Sequence, residues 1–74
     1  MNLTELKVGE FAYILDIEIH GKELKRLLEL GFVNKTKINV VCVAPKGFTW
    51  LVAIRGYLLA LDKKICEQIK VERC

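Results

Sequence analysis

Four side chains in this sequence carry the soft-ligand or nucleophilic chemistry from which small active sites are usually made: His20, Cys42, Cys66 and Cys74. Structural metal sites show themselves as close pairs such as Cys-x-x-Cys, and these four are scattered singly. Nucleophilic catalysis needs a Cys or Ser beside a base, and acid–base catalysis needs two titratable groups in one cleft. The chain has one histidine, placed between a strand end and a helix start, and neither pair is written. Its acidic residues lack the loop spacing of a hard-cation site. Its glycines stand singly, so no Gly-rich phosphate loop exists. The expectation is no catalytic group, no metal ligand set and no cofactor. What remains is surface for recognition. Phe48, Trp50, Val52 and Ile54 alternate with Thr49, Leu51, Ala53 and Arg55, so both faces of one strand are apolar. Either Phe48 and Trp50 close one end of a small core, or they form a docking patch, alone or with the corner at residues 28–32.

The elements that would position these groups must fit in 74 residues, enough for one domain, residues 1–74. Surface scaling gives such a chain about 4,700 Å² of folded accessible area and about 60% burial on folding, so its stability is marginal unless the core is dense. A hydrophobic content of 53% supplies that core. The apolar runs at residues 40–45 and 57–61 are far shorter than the roughly 18 residues of a membrane span, so no membrane insertion is expected. The first nine residues carry Glu5 and no apolar signal core, and the odd cysteine count argues against a disulfide framework. Both point to the cytoplasm. Net charge is +3, with bases and acids interleaved, whereas a dedicated nucleic-acid binder concentrates its basic groups on one face.

Along the chain, Asn2 and Glu5 have the spacing of a capping box for an opening helical turn, which ends at Gly9. Residues 11–19 read as a strand with Phe11, Tyr13, Leu15, Ile17 and Ile19 on its apolar face. Leu24, Leu27 and Leu28 then mark an amphipathic helix. Its exit is Leu30-Gly31-Phe32, with Gly31 left-handed and Phe32 packing back on Leu27. Residues 37–43 are apolar on both faces, as in a central strand, and place Cys42 in the core. Ala44-Pro45-Lys46-Gly47 has the residues of a type I turn, so residues 48–55 return as a hairpin partner. Gly56 is expected to bend or bulge the ladder. A strand at 57–61, a helical turn capped by Asp62 and a last strand near 69–72 complete a mostly β, partly closed small barrel. Gly9, Gly31, Pro45, Gly47 and Gly56 are its structural turns.

Leu27-Leu28-Glu29-Leu30-Gly31-Phe32, then Ala44-Pro45, then residues 54–61 (Ile-Arg-Gly-Tyr-Leu-Leu-Ala-Leu) and Ile69-Lys70-Val71 occur in an order that strongly resembles FeoA, the ferrous iron transport protein A family. The resemblance covers essentially the whole chain, including residues 3–10. It implies an SH3-like small β-barrel with one amphipathic helix after the first strand. It also implies a cytoplasmic accessory protein, without enzyme activity or an established iron site, that accompanies FeoB, the membrane ferrous iron transporter with a cytoplasmic GTPase domain. The family's usual Pro-Gly after the helix is Asn34-Lys35 here, so the left-handed residue falls to one of these two.

Lys25, Arg26, Leu27, Glu29, Leu30, Gly31, Phe32, Phe48 and Trp50 are the candidate partner-binding residues, with Leu27 and Leu28 structural if they face the barrel. Weak self-association through the apolar hairpin stays open. One alternative is a barrel binding single-stranded nucleic acid through Phe48, Trp50 and Tyr57 with Lys46 and Arg55. Another is a ferrous iron-binding sensor or chaperone, since a similar domain ends the iron-dependent repressors.

Overall fold

Asn2 opens the chain with the cap its sequence announces. In the computed structural model, which describes residues 1–74, Asn2 Oδ1 accepts from the Thr4 amide at 2.9 Å, and Glu5 Oε2 accepts from the Asn2 amide at 2.7 Å. This capping box starts a 3₁₀ turn, Leu3–Glu5. Five strands follow: β1 (Phe11–Ile17), β2 (Lys37–Val43), β3 (Thr49–Ile54), β4 (Tyr57–Asp62) and β5 (Ile69–Arg73). Helix α1 (Lys22–Glu29) lies between β1 and β2, and the short α2 (Lys63–Cys66) between β4 and β5. All pairings are antiparallel, in the order β4-β3-β2-β1-β5. The element order is the expected one, β2 is central, and β4 and β5 are the two edges.

The core is one cluster of 16 buried hydrophobic residues. An accessible area of 4796 Å² matches the size expected for a folded chain of this length. Glu10 ties the first turn to the last strand. Its carboxylate accepts from the Lys7 amide at 2.6 Å and pairs with Arg73 at 3.0 Å, and the Lys7 amide above all holds this carboxyl below its ordinary range.

Two bulges correct the expected strand faces. In β1 the register shifts between Ile14 and Asp16. Before the shift the inward residues are Ala12 and Ile14, while Phe11, Tyr13 and Leu15 are exposed; after it Ile17 is half-buried and Ile19 is buried. The odd-numbered apolar face therefore holds only beyond the bulge, because the extra residue reverses the alternation. A second shift between Val40 and Cys42 does the same in β2. Val41 and Cys42 are both exposed, so Cys42 is not a core residue.

Gly56 does not bulge a continuing ladder. Ile54 pairs with Tyr57, and between them Arg55 and Gly56 hold φ of 49° and 88°, the signs of a two-residue type I′ hairpin. Asp62 stands at the N-cap of α2, but its side chain makes no capping hydrogen bond. The turn at Ala44 to Gly47 is as expected, with the Gly47 amide donating to Ala44 at 2.7 Å.

Lys35, not Asn34, takes the left-handed position after α1, at φ 70°, and its amide donates to Ile14 at 2.6 Å. A side chain there costs about 1–2 kcal/mol that glycine escapes, less the backbone entropy glycine loses on folding. Lys35→Gly is expected to gain about 1 kcal/mol and raise the melting temperature by roughly 4–8 °C. Thermal denaturation by circular dichroism checks this; a lower melting temperature would mean that the lysine has a compensating contact.

Candidate functional site

Helix α1 and its exit carry most of the candidate residues. The exit is a Schellman ending. The Phe32 amide donates to Leu27 at 3.0 Å and the Gly31 amide to Leu28 at 3.1 Å, with Gly31 at φ 98°. The β3–β4 turn is laid over this exit. A Cβ on Gly31 would come within 2.4 Å of Arg55 Cδ, so the alkyl part of Arg55 rests against the glycine, and the Tyr57 hydroxyl donates to the Leu30 carbonyl. Both contacts serve the C-terminal end of α1, where carbonyls lack intrahelical donors and a cation is favourable.

Burial divides the candidates. Leu27 is 4% exposed, Phe32 0% and Trp50 8%, and Gly31 is buried as well. Leu27, Phe32 and Trp50 belong to the core of the free chain, Gly31 lies beneath Arg55, and any role of these four in docking would pass through the surface they support. Lys25, Arg26 and Glu29 are exposed, Leu30 is half-buried, and Phe48 is 63% exposed. Trp50 closes the core between Val43 and Leu61 on the flanking strands, with no hydrogen-bond partner for its indole Nε1. Phe48, just before β3, stays outside. The hairpin thus divides between the two readings of its aromatics.

Two apolar grooves flank α1. One, of about 300 Å³, lies towards β1 and includes Leu15, Leu24, Leu28 and Val33. The other, of about 190 Å³, lies between α1 and β4. Glu23, Arg26, Leu27 and Leu30 form its helical wall, Leu59, Ala60 and Leu61 the strand wall, and Ile65 of α2 its end. Leu59, Ala60 and Leu61 lie in the segment that carries the family resemblance but are not among the candidate partner-binding residues. An edge position is a property of the sheet, and no local pattern of residues announces it.

No three of the His, Cys, Asp and Glu side chains converge. Of the thiols, Cys42 and Cys74 are exposed and Cys66 is buried. Burial, with a smaller contribution from the charge of Asp62, pushes the Cys66 thiol from 9.0 up to about 12. Iodoacetamide at pH 8 is expected to modify two of the three thiols in the folded chain and the third only in denaturant, as mass spectrometry would count. The unfolded thiol ionises near 9 and the folded one near 12. The stability linked to this group is therefore whole below pH 9 and declines as pH rises towards 12.

Comparison with known proteins decides the family. The FeoA domain model matches residues 1–73. The chain belongs to the FeoA domain family. It is 38% identical over 72 residues to an Fe(2+) transport protein A/Fe(2+) transporter FeoB fusion protein of Porphyromonas gingivalis, a match that takes in 97% of this chain and 8% of the fusion protein. The chain thus spans less than a tenth of that relative. Among solved structures, FeoA of Chlorobium tepidum superposes with a TM-score of 0.94 at 33% identity, over 99% of this chain and 70% of that one. FeoA of Stenotrophomonas maltophilia, described as a procaryotic SH3 domain protein and solved with zinc, superposes at 0.83 and 28% identity, over 97% of this chain and 89% of that one. The FeoA architecture here is accordingly SH3-like, and the family is one associated with ferrous iron transport.

Proposed function

We propose that this FeoA domain is a cytoplasmic accessory module of ferrous iron uptake, which binds the cytoplasmic region of a FeoB-type transporter and modulates it through protein–protein contacts. The observation that carries the reading is the P. gingivalis relative, in which a segment matching nearly all of this chain is part of the same polypeptide as a FeoB transporter. Fusion makes an encounter intramolecular, and it is useful only where the two parts meet. The surface that suits such a meeting is α1 and its exit, where Lys25, Arg26 and Glu29 stand exposed around the half-buried Leu30, with Phe48 as a further candidate. No helix of the chain is long and apolar enough to cross a membrane, consistent with a partner that supplies the membrane part. Of the stacking faces that single-stranded nucleic acid would need, Trp50 is already in the core.

The test is a backbone amide NMR titration of the labelled chain with the soluble GTPase region of the transporter from the same organism, with and without guanine nucleotide. Localised shifts on α1 and its exit are the expected result. No shift at high partner concentration, with a ferrous titration or an oligonucleotide perturbing the spectrum instead, would replace this reading with the iron-binding or the nucleic-acid one.

A further inference from the structure

We propose that the groove between α1 and β4 receives an extended peptide segment of a partner, which adds to the free edge of β4 as a sixth strand. Neighbouring residues of a strand point to opposite faces of its sheet. Leu59, Ala60 and Leu61 are consecutive, yet all three line this one groove, so the groove runs along the edge of β4 and not over a face. The other edge is taken, since every residue of β4 pairs with β3 and no further strand follows.

A two-residue hairpin closes on a hydrogen-bonded pair, here Ile54 and Tyr57, and the pairing type then alternates along an antiparallel ladder. Leu58 and Ala60 therefore turn their amides and carbonyls to the open edge. No loop or cap hydrogen bond reaches either residue. Both are exposed, Leu58 by 57%. Edges are normally blunted by charge, proline or a bulge. Residues 57–61 carry no charge and no proline, and their ladder with β3 is unshifted. The opposite edge differs: the Val71 amide on β5 donates to Met1 at 2.9 Å, and Asn2 bridges Lys70.

A row of unpaired main-chain groups beside a helical wall is complementary to an extended backbone, the β-addition mode of peptide recognition. The chemistry of the occupant follows from the walls. Leu27, Leu30, Leu59 and Leu61 call for alternating apolar side chains. Arg26 and Glu23 on the helical wall are outside the chain's two ion pairs, Lys70 with Glu18 and Arg73 with Glu10, so a carboxylate and a cation about two residues apart on the peptide find partners. The proposal deepens the reading of the chain as a partner-binding module and rests on it.

The experiment follows amide hydrogen exchange in the full labelled chain. The probes are overlapping peptides of about a dozen residues that tile the cytoplasmic segments of the transporter, and the intact cytoplasmic region beside them. At least one peptide is expected to slow exchange at Leu58 and Ala60 by about tenfold or more, leaving Leu59 and Leu61 as they were. Ala60→Pro removes one edge amide without touching the β3 ladder and is expected to weaken that peptide at least about tenfold, with Arg26→Glu weakening it too. If Ala60→Pro does not fold, the exchange pattern of the wild-type chain decides alone. Binding of the cytoplasmic region with Leu58 and Ala60 exchanging as before would overturn strand addition and leave the partner reading standing; binding of neither region nor peptide would end both. Protection of the same amides that grows with protein concentration, with no probe added, would overturn the proposal in favour of a second copy of this chain.

Discussion

Phe32→Ala is expected to cost about 3–5 kcal/mol, the range for truncating a buried aromatic where the cavity cannot collapse. Phe32 has no exposed surface and heads the fully buried side chains by volume. Its amide also closes the α1 exit on Leu27, so the ring is held at the point where the chain leaves the helix for the sheet, and the exit has little freedom to move into the void. A domain of this size has a total stability of roughly 4–11 kcal/mol. The substitution should therefore unfold a visible fraction of molecules at 25 °C, or shift the urea midpoint by about 3 M or more given a slope of about 1 kcal/mol/M. Phe32→Leu, which retains most of the volume, should cost much less. A loss below about 1 kcal/mol for the alanine would mean that Phe32 is not packed as the structure has it.

How far the sequence revealed this molecule depends on whether the signal was local. The Asn2–Glu5 capping box, the Schellman exit and the Pro45 turn each sit within six residues, and each formed as expected. The faces of β1 and the exposure of Cys42 depended on bulges against neighbouring strands, which alternation along one strand cannot register. Gly56 alone suggests a bend or bulge, and the hairpin is hidden from the sequence because arginine is unusual at a left-handed hairpin position; the Arg55 contact with Gly31 and the Tyr57 bond to Leu30 are tertiary reasons for the turn to sit there. The candidate site was half legible. Apolar spacing puts Leu24, Leu27 and Leu28 on one stripe and Arg26 off it, yet Leu27 is buried and Leu28 is 46% exposed; the second wall of the groove is the edge of β4, and only the strand order makes it an edge.

That second wall gives two adjacent residues of α1 opposite expected behaviour. Leu27 is 4% exposed and Leu28 46%. Leu27→Gln puts an amide where no acceptor or donor waits, and is expected to cost about 2–4 kcal/mol by losing apolar burial and stranding a polar group. Leu28→Gln should change stability by less than about 0.5 kcal/mol, as exposed substitutions do. Leu28 borders the groove towards β1, and Leu27 the groove towards β4. With docking on the β4 side, Leu28→Gln keeps its affinity for the transporter's cytoplasmic region, while Leu27→Gln loses affinity only in proportion to the unfolded fraction and to its small share of the groove wall. Paired thermal melts and NMR titrations separate these effects. Loss of binding by Leu28→Gln at an unchanged melting temperature would move the docking face to the β1 side of α1, where Leu15 and Val33 also stand exposed. The free edge of β4 would then be left without an occupant, because a strand seated in one groove cannot reach across the helix to the other.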